Sequence, residues 1–298
     1  ARTDQWQGLH RVSAARSHLY VPGDKPEVLA KALGRGADAL IVDLEDAVAP
    51  AHKAAARDTV AHWLSTLPRA AENPVQVWVR INPGDAGHVD VRAVASAALT
   101  GVVAAKTESA EELVALHGVL TEAEDRLEIV AGSLAVVPLL ESAHAVLQAM
   151  AIAKAPRVQR LQVGEADLRA DIGVDLGPDG RELLFVRSQV VLVSAAAGIE
   201  PPVGPVDTNF RDLDALREST RAIKAMGYVG RACIHPAQAG VVNEVFTPTE
   251  QEVAAAMDLI ARFDAAMAAG DAVCLDAQGR MVDEAVVRQA RRVVALAR

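Results

Sequence analysis

Two cysteines, Cys233 and Cys274, in 298 residues are too few for a disulfide framework or a cysteine zinc cage. No run approaches the roughly 18 uninterrupted apolar residues of a membrane span. The stretch from Ala1 to Ser17 carries Arg2, Asp4, Arg11 and Arg16 without an apolar centre, so it does not read as a secretory signal. A cytoplasmic, reducing address is the expectation. Basic charge is also short: 30 Lys and Arg stand against 39 Asp and Glu, a net charge of −9. That balance argues against nucleic acid as the main partner. Lysine is scarce, with six residues, and three of them stand beside expected strand ends. Neither an internal repeat nor a low-complexity linker occurs.

What is present, 51% hydrophobic and 23% charged residues, excludes intrinsic disorder and suits one large core or two modest ones. Apolar runs of strand length cover Ser17–Pro22, Ala39–Leu44, Val75–Ile81, Gly101–Lys106, Leu134–Leu140, Val158–Val163, Pro202–Asp207 and Val229–Ile234. Between them lie segments that are apolar on one helical face: Pro26–Leu33, His52–Leu64, Val91–Leu99, Ala110–Leu120, Ala143–Ala153, Leu183–Ala197 and Leu213–Met226. Gly34, Gly36, Gly198 and Gly227 stand where helices should stop. Strands apolar along their whole length, such as Ala39–Val42, suit a parallel sheet covered on both faces. Eight alternations predict a (β/α)8 TIM barrel over residues 1–245; a doubly wound open sheet is the rival, without a glycine fingerprint after its first strand. Residues 246–298 read as a C-terminal helical extension: a helix over Pro248–Met267 capped by Thr247 or Thr249, a looser stretch from Gly270 to Met281, and an arginine-studded helix over Val282–Ala297. This tail shows no core of its own, so it is expected to pack on its own barrel or a neighbour's.

A barrel places its chemistry at the C-terminal ends of the strands. There stand Asp43, Glu45 and Asp46 after the second strand, Arg80 and Asn82 on the third, Lys106 on the fourth and Glu141-Ser142 on the fifth. The sixth strand gives Glu165 and Asp167, the seventh Asp207, the eighth His235. So many carboxylates on one rim are costly unless a cation neutralises them. Oxygen ligands without His or Cys pairs point to a hard divalent ion, and magnesium fits. Each group also has a plainer role. The Asp43/Glu45/Asp46 cluster can cap a helix, Lys106 can pair with Glu108, His235 can order a turn, His144 can face water and Cys233 can sit in the core. Arg288, Arg291 and Arg292 can form a solvated face. Arg80, inside an apolar strand, needs a carboxylate partner.

Arg16-Ser17-His18-Leu19-Tyr20-Val21-Pro22-Gly23 and Asp43-Leu44-Glu45-Asp46-Ala47-Val48-Ala49-Pro50 resemble the opening motifs of the citrate lyase beta subunit/malyl-CoA lyase family of the HpcH/HpaI aldolase superfamily. Val79-Arg80-Ile81-Asn82, Leu140-Glu141-Ser142-Ala143, Gly164-Glu165-Ala166-Asp167-Leu168 and Ile234-His235-Pro236-Ala237-Gln238 continue the likeness in order. The resemblance implies a barrel working as a homotrimer or homohexamer with magnesium, making or breaking carbon–carbon bonds of acyl-CoA thioesters. It implies Glu141 and Asp167 as metal ligands, Glu45 and Asp46 as holders of the ion's waters, and Arg80 as the group binding substrate carboxylate and thioester oxygen. Tyr20, Lys25 and Lys31 match positions lining the CoA site, and Asp283 matches an acid/base that reaches a neighbouring subunit's site. Ala105 and Thr107 depart from the family's usual Pro and Val/Ile around Lys106. The implied activity is magnesium-dependent cleavage of a 3-hydroxy-dicarboxylic acyl-CoA, such as malyl-CoA or citramalyl-CoA, into acetyl-CoA and a 2-oxo acid. A citrate lyase beta subunit acting on an acyl carrier protein, a silent CoA-binding protein and a hydroxy-oxo-acid aldolase are the alternatives.

Overall fold

The computed structural model describes residues 15–177 and 179–297; most of the N-terminal stretch read above lies outside the described residues. Eight parallel strands close a barrel in sequence order: β1 (Ser17–Pro22), β2 (Ala39–Asp43), β3 (Gln76–Ile81), β4 (Gly101–Ala104), β5 (Ala135–Leu140), β6 (Gln162–Val163), β7 (Val203–Gly204) and β8 (Gly230–Cys233). Between and after them come α1 (Pro26–Ala32), α2 (Lys53–Ser65), α3 (Gly84–Val94), α4 (Ala110–Leu127), α5 (Ala143–Leu147), α6 (Ala149–Ala153), α7 (Glu165–Ile172), α8 (Leu184–Ala197), α9 (Leu213–Ala225) and α10 (Pro236–Phe246). Each expected strand is present, which removes the open-sheet rival. Inside the barrel Ala39, Ile41, Trp78, Val103, Val137 and Leu139 pack into one cluster with Tyr20 against it. The helices bury single stripes, Ala56, Val60 and Leu64 on α2, and Leu113, Leu116, Leu120 and Ala123 on α4. Gly198 ends α8 at φ 74°, a left-handed position that glycine takes without strain.

Three helical expectations shift. The segment expected over Val91–Leu99 is helical earlier, as α3, and ends where Ala95 turns extended (φ −56°, ψ 130°). Gly84 and Gly87 disguise its start. The fully buried Asp90 interrupts its apolar face because it accepts from Arg57 Nη1 at 3.0 Å and from Asn82 Nδ2 at 2.7 Å. The Ala143–Ala153 helix is broken at Gln148 into α5 and α6. Residues 165–172, read only as a strand end, form α7.

Residues 15–243 form one compact unit and residues 244–297 belong to another. The second unit holds α11 (Glu250–Ala269), the antiparallel strands β9 (Cys274–Leu275) and β10 (Met281–Val282), and α12 (Glu284–Leu296). Thr249 caps α11 in a reciprocal box with Glu252, satisfying two free N–H groups at the helix start. Phe263, Val282 and Val287 pack together with Leu259, Ile260 and Cys274. The tail therefore does have a small core of its own, contrary to the sequence expectation. Its residues lie too far apart in sequence, on a helix, a short strand and a second helix, for periodicity to reveal it.

Candidate active site

The β2–β3 register sets Asp43 beside Arg80, and the two pair through a fork. Arg80 Nε donates to Asp43 Oδ1 at 2.7 Å and Nη2 to Oδ2 at 2.5 Å. Asp43 also accepts the backbone N–H groups of Glu45 and Ala47, at 2.8 and 3.1 Å. Its carboxylate is thus occupied in holding the guanidinium and the following turn. This is the partner that a buried Arg80 demands. Arg80 Nη1 is left facing Glu45 Oε2 at 3.0 Å and Asp46 Oδ2 at 3.8 Å, while the guanidinium carbon stands 5.1 Å from the Tyr20 ring centroid. Burial works against the Arg80 charge, but the hydrogen bonds and charge of Asp43 outweigh it and hold the pKa above the ordinary value. Burial pushes the Tyr20 phenol up as well, and its hydroxyl accepts from Gln162 Nε2 at 3.4 Å.

The turn after β2 is tied down from beneath. Lys53 Nζ donates to the carbonyls of Leu44 and Glu45, both at 2.8 Å, and Asn82 Nδ2 donates to Leu44 O at 2.9 Å. Lys106 reaches this turn from β4: its ammonium pairs with Glu45 Oε1 and lies 3.3 Å from Asp46 Oδ1. The local Lys106–Glu108 pair read from sequence does not form, since Glu108 instead accepts from Ser142 Oγ at 2.9 Å. Burial raises the Glu45 carboxyl, against the pull of Lys106 and Arg80. Asp46 pays a burial penalty too, yet hydrogen bonding and the Lys106 and Arg80 charges hold it below the usual range.

Glu141, 6% exposed, ends β5. Burial pushes its carboxyl up to about 7, and the charges of Asp167 and Glu45 add to the rise while the Lys106 amide and Arg80 oppose it. Gly164 leaves room for this side chain, because a Cβ there would stand 2.5 Å from Glu141 Oε1. Asp167 lies half-buried in the first turn of α7. Glu165, by contrast, is committed to Arg187 through bonds of 2.6 and 2.7 Å. Among the described residues no three His, Cys, Asp or Glu side chains form a ready cage. The Glu141/Asp167 pair still suits magnesium, which takes one or two carboxylates and keeps waters, and a cation there would relieve the penalty on Glu141.

Lys25, Lys31 and His235 make none of these contacts. Lys25 precedes α1, exposed, 3.8 Å from Asp24, and Lys31 is exposed in the last turn of α1. A cavity of about 270 Å³ is lined by Tyr20, Pro22, Val28, Ala32, Arg35 and His235 among others. His235 stacks on Phe210 with centroids 5.0 Å apart, and its Nδ1 accepts the Ala237 N–H at 3.2 Å. In the second unit Asp283 caps α12, its Oδ1 accepting from the amides of Ala285 and Val286 at 3.0 and 3.1 Å. His144 is exposed and Cys233 buried, as their plainer readings had it. Sequence reasoning missed Asp43 as the Arg80 partner, Lys53 and Asp90 as anchors, and the reach of Lys106. The scarcity of lysine was the one available signal.

Comparison with known proteins agrees with this architecture. Residues 16–236 match the family model described as HpcH/HpaI aldolase/citrate lyase. Citrate lyase subunit beta of Leuconostoc mesenteroides is 34% identical over 95% of this chain and 93% of its own length. A (3S)-malyl-CoA thioesterase of Cereibacter sphaeroides is 33% identical over 97% and 96%. The CitE protein of Mycobacterium tuberculosis, solved in complex with magnesium, acetoacetate and coenzyme A, superposes with a TM-score of 0.75 at 31% identity, covering 96% of this chain and 99% of that one. The chain belongs to the HpcH/HpaI aldolase/citrate lyase family of enzymes.

Proposed function

We propose that this enzyme is a magnesium-dependent carbon–carbon lyase that cleaves a 3-hydroxy-dicarboxylic acyl-CoA, such as malyl-CoA or citramalyl-CoA, to acetyl-CoA and a 2-oxo acid. The observation that carries the reading is the convergence of a fork-held Arg80 with the buried Glu141, oriented by the Lys106 N–H at 2.6 Å. Glu141 and Asp167 would hold the magnesium, and Glu45 and Asp46 would accept hydrogen bonds from its waters. When bound, the ion acidifies the substrate hydroxyl and polarises the oxygen that becomes the carbonyl of the 2-oxo acid. The hydroxyl proton passes to solvent water as the hydroxyl oxygen becomes a carbonyl, the bond between the α and β carbons of the thioester breaks, and its electron pair stays on the acetyl-thioester as an enolate. Arg80, fixed by Asp43 and kept charged, binds the substrate carboxylate and stabilises the enolate oxygen. Asp283, brought by a neighbouring subunit of a homotrimer or homohexamer, supplies the proton that completes acetyl-CoA. Its helix cap engages Oδ1 alone, which is compatible with proton transfer at Oδ2. Tyr20, Lys25 and Lys31 line the approach of coenzyme A. No described helix is long and apolar enough to cross a membrane, and we assign a cytoplasmic location.

A second reading, the beta subunit of a citrate lyase complex, is favoured by the likeness to the Leuconostoc protein. Incubating the purified protein and magnesium with malyl-CoA, citramalyl-CoA and citryl-CoA, with products read by mass spectrometry, separates the two. Acetyl-CoA with glyoxylate or pyruvate supports the CoA lyase. Oxaloacetate from citryl-CoA alone supports the citrate lyase subunit, and no cleavage of any of the three overturns both.

A further inference from the structure

Lys106 is the point at which the two halves of the acidic rim meet. Its backbone is left-handed, φ 49°, a conformation that is strained for a residue with a side chain and persists only where the surroundings enforce it. The enforcement is visible on both sides. The Thr107 N–H donates to Leu139 O at 3.2 Å and the Thr107 hydroxyl to Ala104 O at 2.9 Å. Thr107 is 2% exposed, so the turn is clamped in a dry environment.

The strained turn aims two groups in two directions. The Lys106 N–H points at Glu141 Oε2, 2.6 Å away. The side chain leaves the opposite way to its ion pair with Glu45 and its 3.3 Å approach to Asp46. One residue thus touches the carboxylate at the end of β5 and both carboxylates after β2, across more than 30 residues of chain on either side. We propose that Lys106 is a positioning residue: its main chain orients Glu141 for the metal, and its ammonium holds Glu45 and Asp46 at the spacing needed beside Arg80. The proposal rests on the reading of Glu141 as a metal ligand, and it assigns Lys106 no contact with substrate.

The two roles separate by substitution. Lys106→Gly removes the ammonium but accepts a left-handed backbone freely and keeps the N–H. Lys106→Val removes the ammonium too, and its branched side chain is excluded from that region, so the N–H turns away from Glu141. Calorimetric titration of the metal-free full-length protein with magnesium chloride should leave the affinity of Lys106→Gly within a few-fold of wild type, since Glu45 and Asp46 would reach the ion only through water. For Lys106→Val it should be about 10- to 100-fold weaker, the usual cost of losing a group that orients a metal ligand. In turnover, Lys106→Gly should lose a similar factor in kcat with KM little changed, and Lys106→Arg should recover most of it. Combining Lys106→Gly with Glu45→Gln should cost less than the product of the two single losses, because the lysine acts in part through that carboxylate. Wild-type turnover in Lys106→Gly, or losses that multiply in the double variant, would overturn the ammonium's role. Equal magnesium affinity in folded Gly and Val variants would overturn the backbone's role, and if Val does not fold, the Gly, Arg and double variants still decide the former. Glu141→Gln is the control: unchanged magnesium binding there refutes the metal reading itself, whereas lost binding with unaffected Lys106 variants refutes only the positioning.

Discussion

Arg80 offers the sharpest separation of charge from geometry. Replacing it by methionine leaves Asp43, 2% exposed, as a buried carboxylate without its cation. Breaking a buried pair from one side costs about 3–5 kcal/mol. At about 2–4 °C per kcal/mol for a unit of this size, Arg80→Met should melt roughly 6–20 °C below wild type. Lysine keeps the charge but cannot present two parallel N–H groups to Asp43 while a third faces Glu45. Arg80→Lys keeps the cation beside Asp43 and forfeits one charge-assisted bond of the fork, about 1.5–3 kcal/mol. It should therefore fall between methionine and wild type in stability. In catalysis the two should converge. Removing a fixed donor from a developing oxyanion costs about 10²–10³ in rate, and a mobile ammonium does not replace it. Differential scanning calorimetry with chelator, and kcat/KM on the thioester that the wild type cleaves, give both numbers. An Arg80→Lys enzyme within a few fold of wild type would refute the claim that the fork, rather than the charge, is what the reaction uses.

Lys25→Ala and Lys31→Ala should raise KM for the acyl-CoA more than they lower kcat, since contacts to a remote nucleotide act as uniform binding. Both residues are exposed, so the effect should shrink as salt rises; a kcat defect at unchanged KM would place them elsewhere. His18 is fully enclosed in the barrel, and burial with the nearby Arg160 charge lowers its pKa to about 3. A histidine held neutral in the folded state stabilises above its unfolded pKa near 6.5 and loses that contribution as pH falls from there towards 3. Wild type should therefore lose about 3 kcal/mol more than His18→Gln between pH 6.5 and 4, and parallel urea-melt curves for the two would contradict the burial argument. Asp283→Asn should stay folded, because asparagine caps α12 nearly as well, yet lose most turnover. Mixing it with Glu141→Gln under subunit exchange should restore part of the activity, and a dead variant without rescue would mean that each tail serves its own barrel.

The strands were legible because a parallel sheet covered on both faces needs apolar runs, and stretches such as Ala39–Val42 and Val136–Leu140 supply them. Helices that bury an ordinary stripe, such as α2 and α4, were legible for the same reason. α3 was not, because the residue at the centre of its buried face is Asp90, whose partners Arg57 and Asn82 come from other elements. Arg80 announced its need for a carboxylate, but three stood at or just after the end of β2, and only the register sets Asp43 opposite it. Lys106 shows the limit most plainly. Its nearest acid in sequence is Glu108, yet the side chain crosses to Glu45, 61 residues away, because the left-handed turn points it there. Periodicity carries no trace of a single residue with φ 49°.

Turnover of Glu141→Gln and Asp167→Asn, titrated with magnesium from chelator to saturation, tests the central claim most directly. The account predicts that wild-type cleavage disappears in chelator and returns with magnesium. Each variant should lose several orders of magnitude that saturating metal does not restore, because in the proposed reading these two carboxylates hold the ion whose charge stabilisation carries the chemistry. Near wild-type turnover in either variant at saturating magnesium, or wild-type cleavage that survives the chelator, would contradict it.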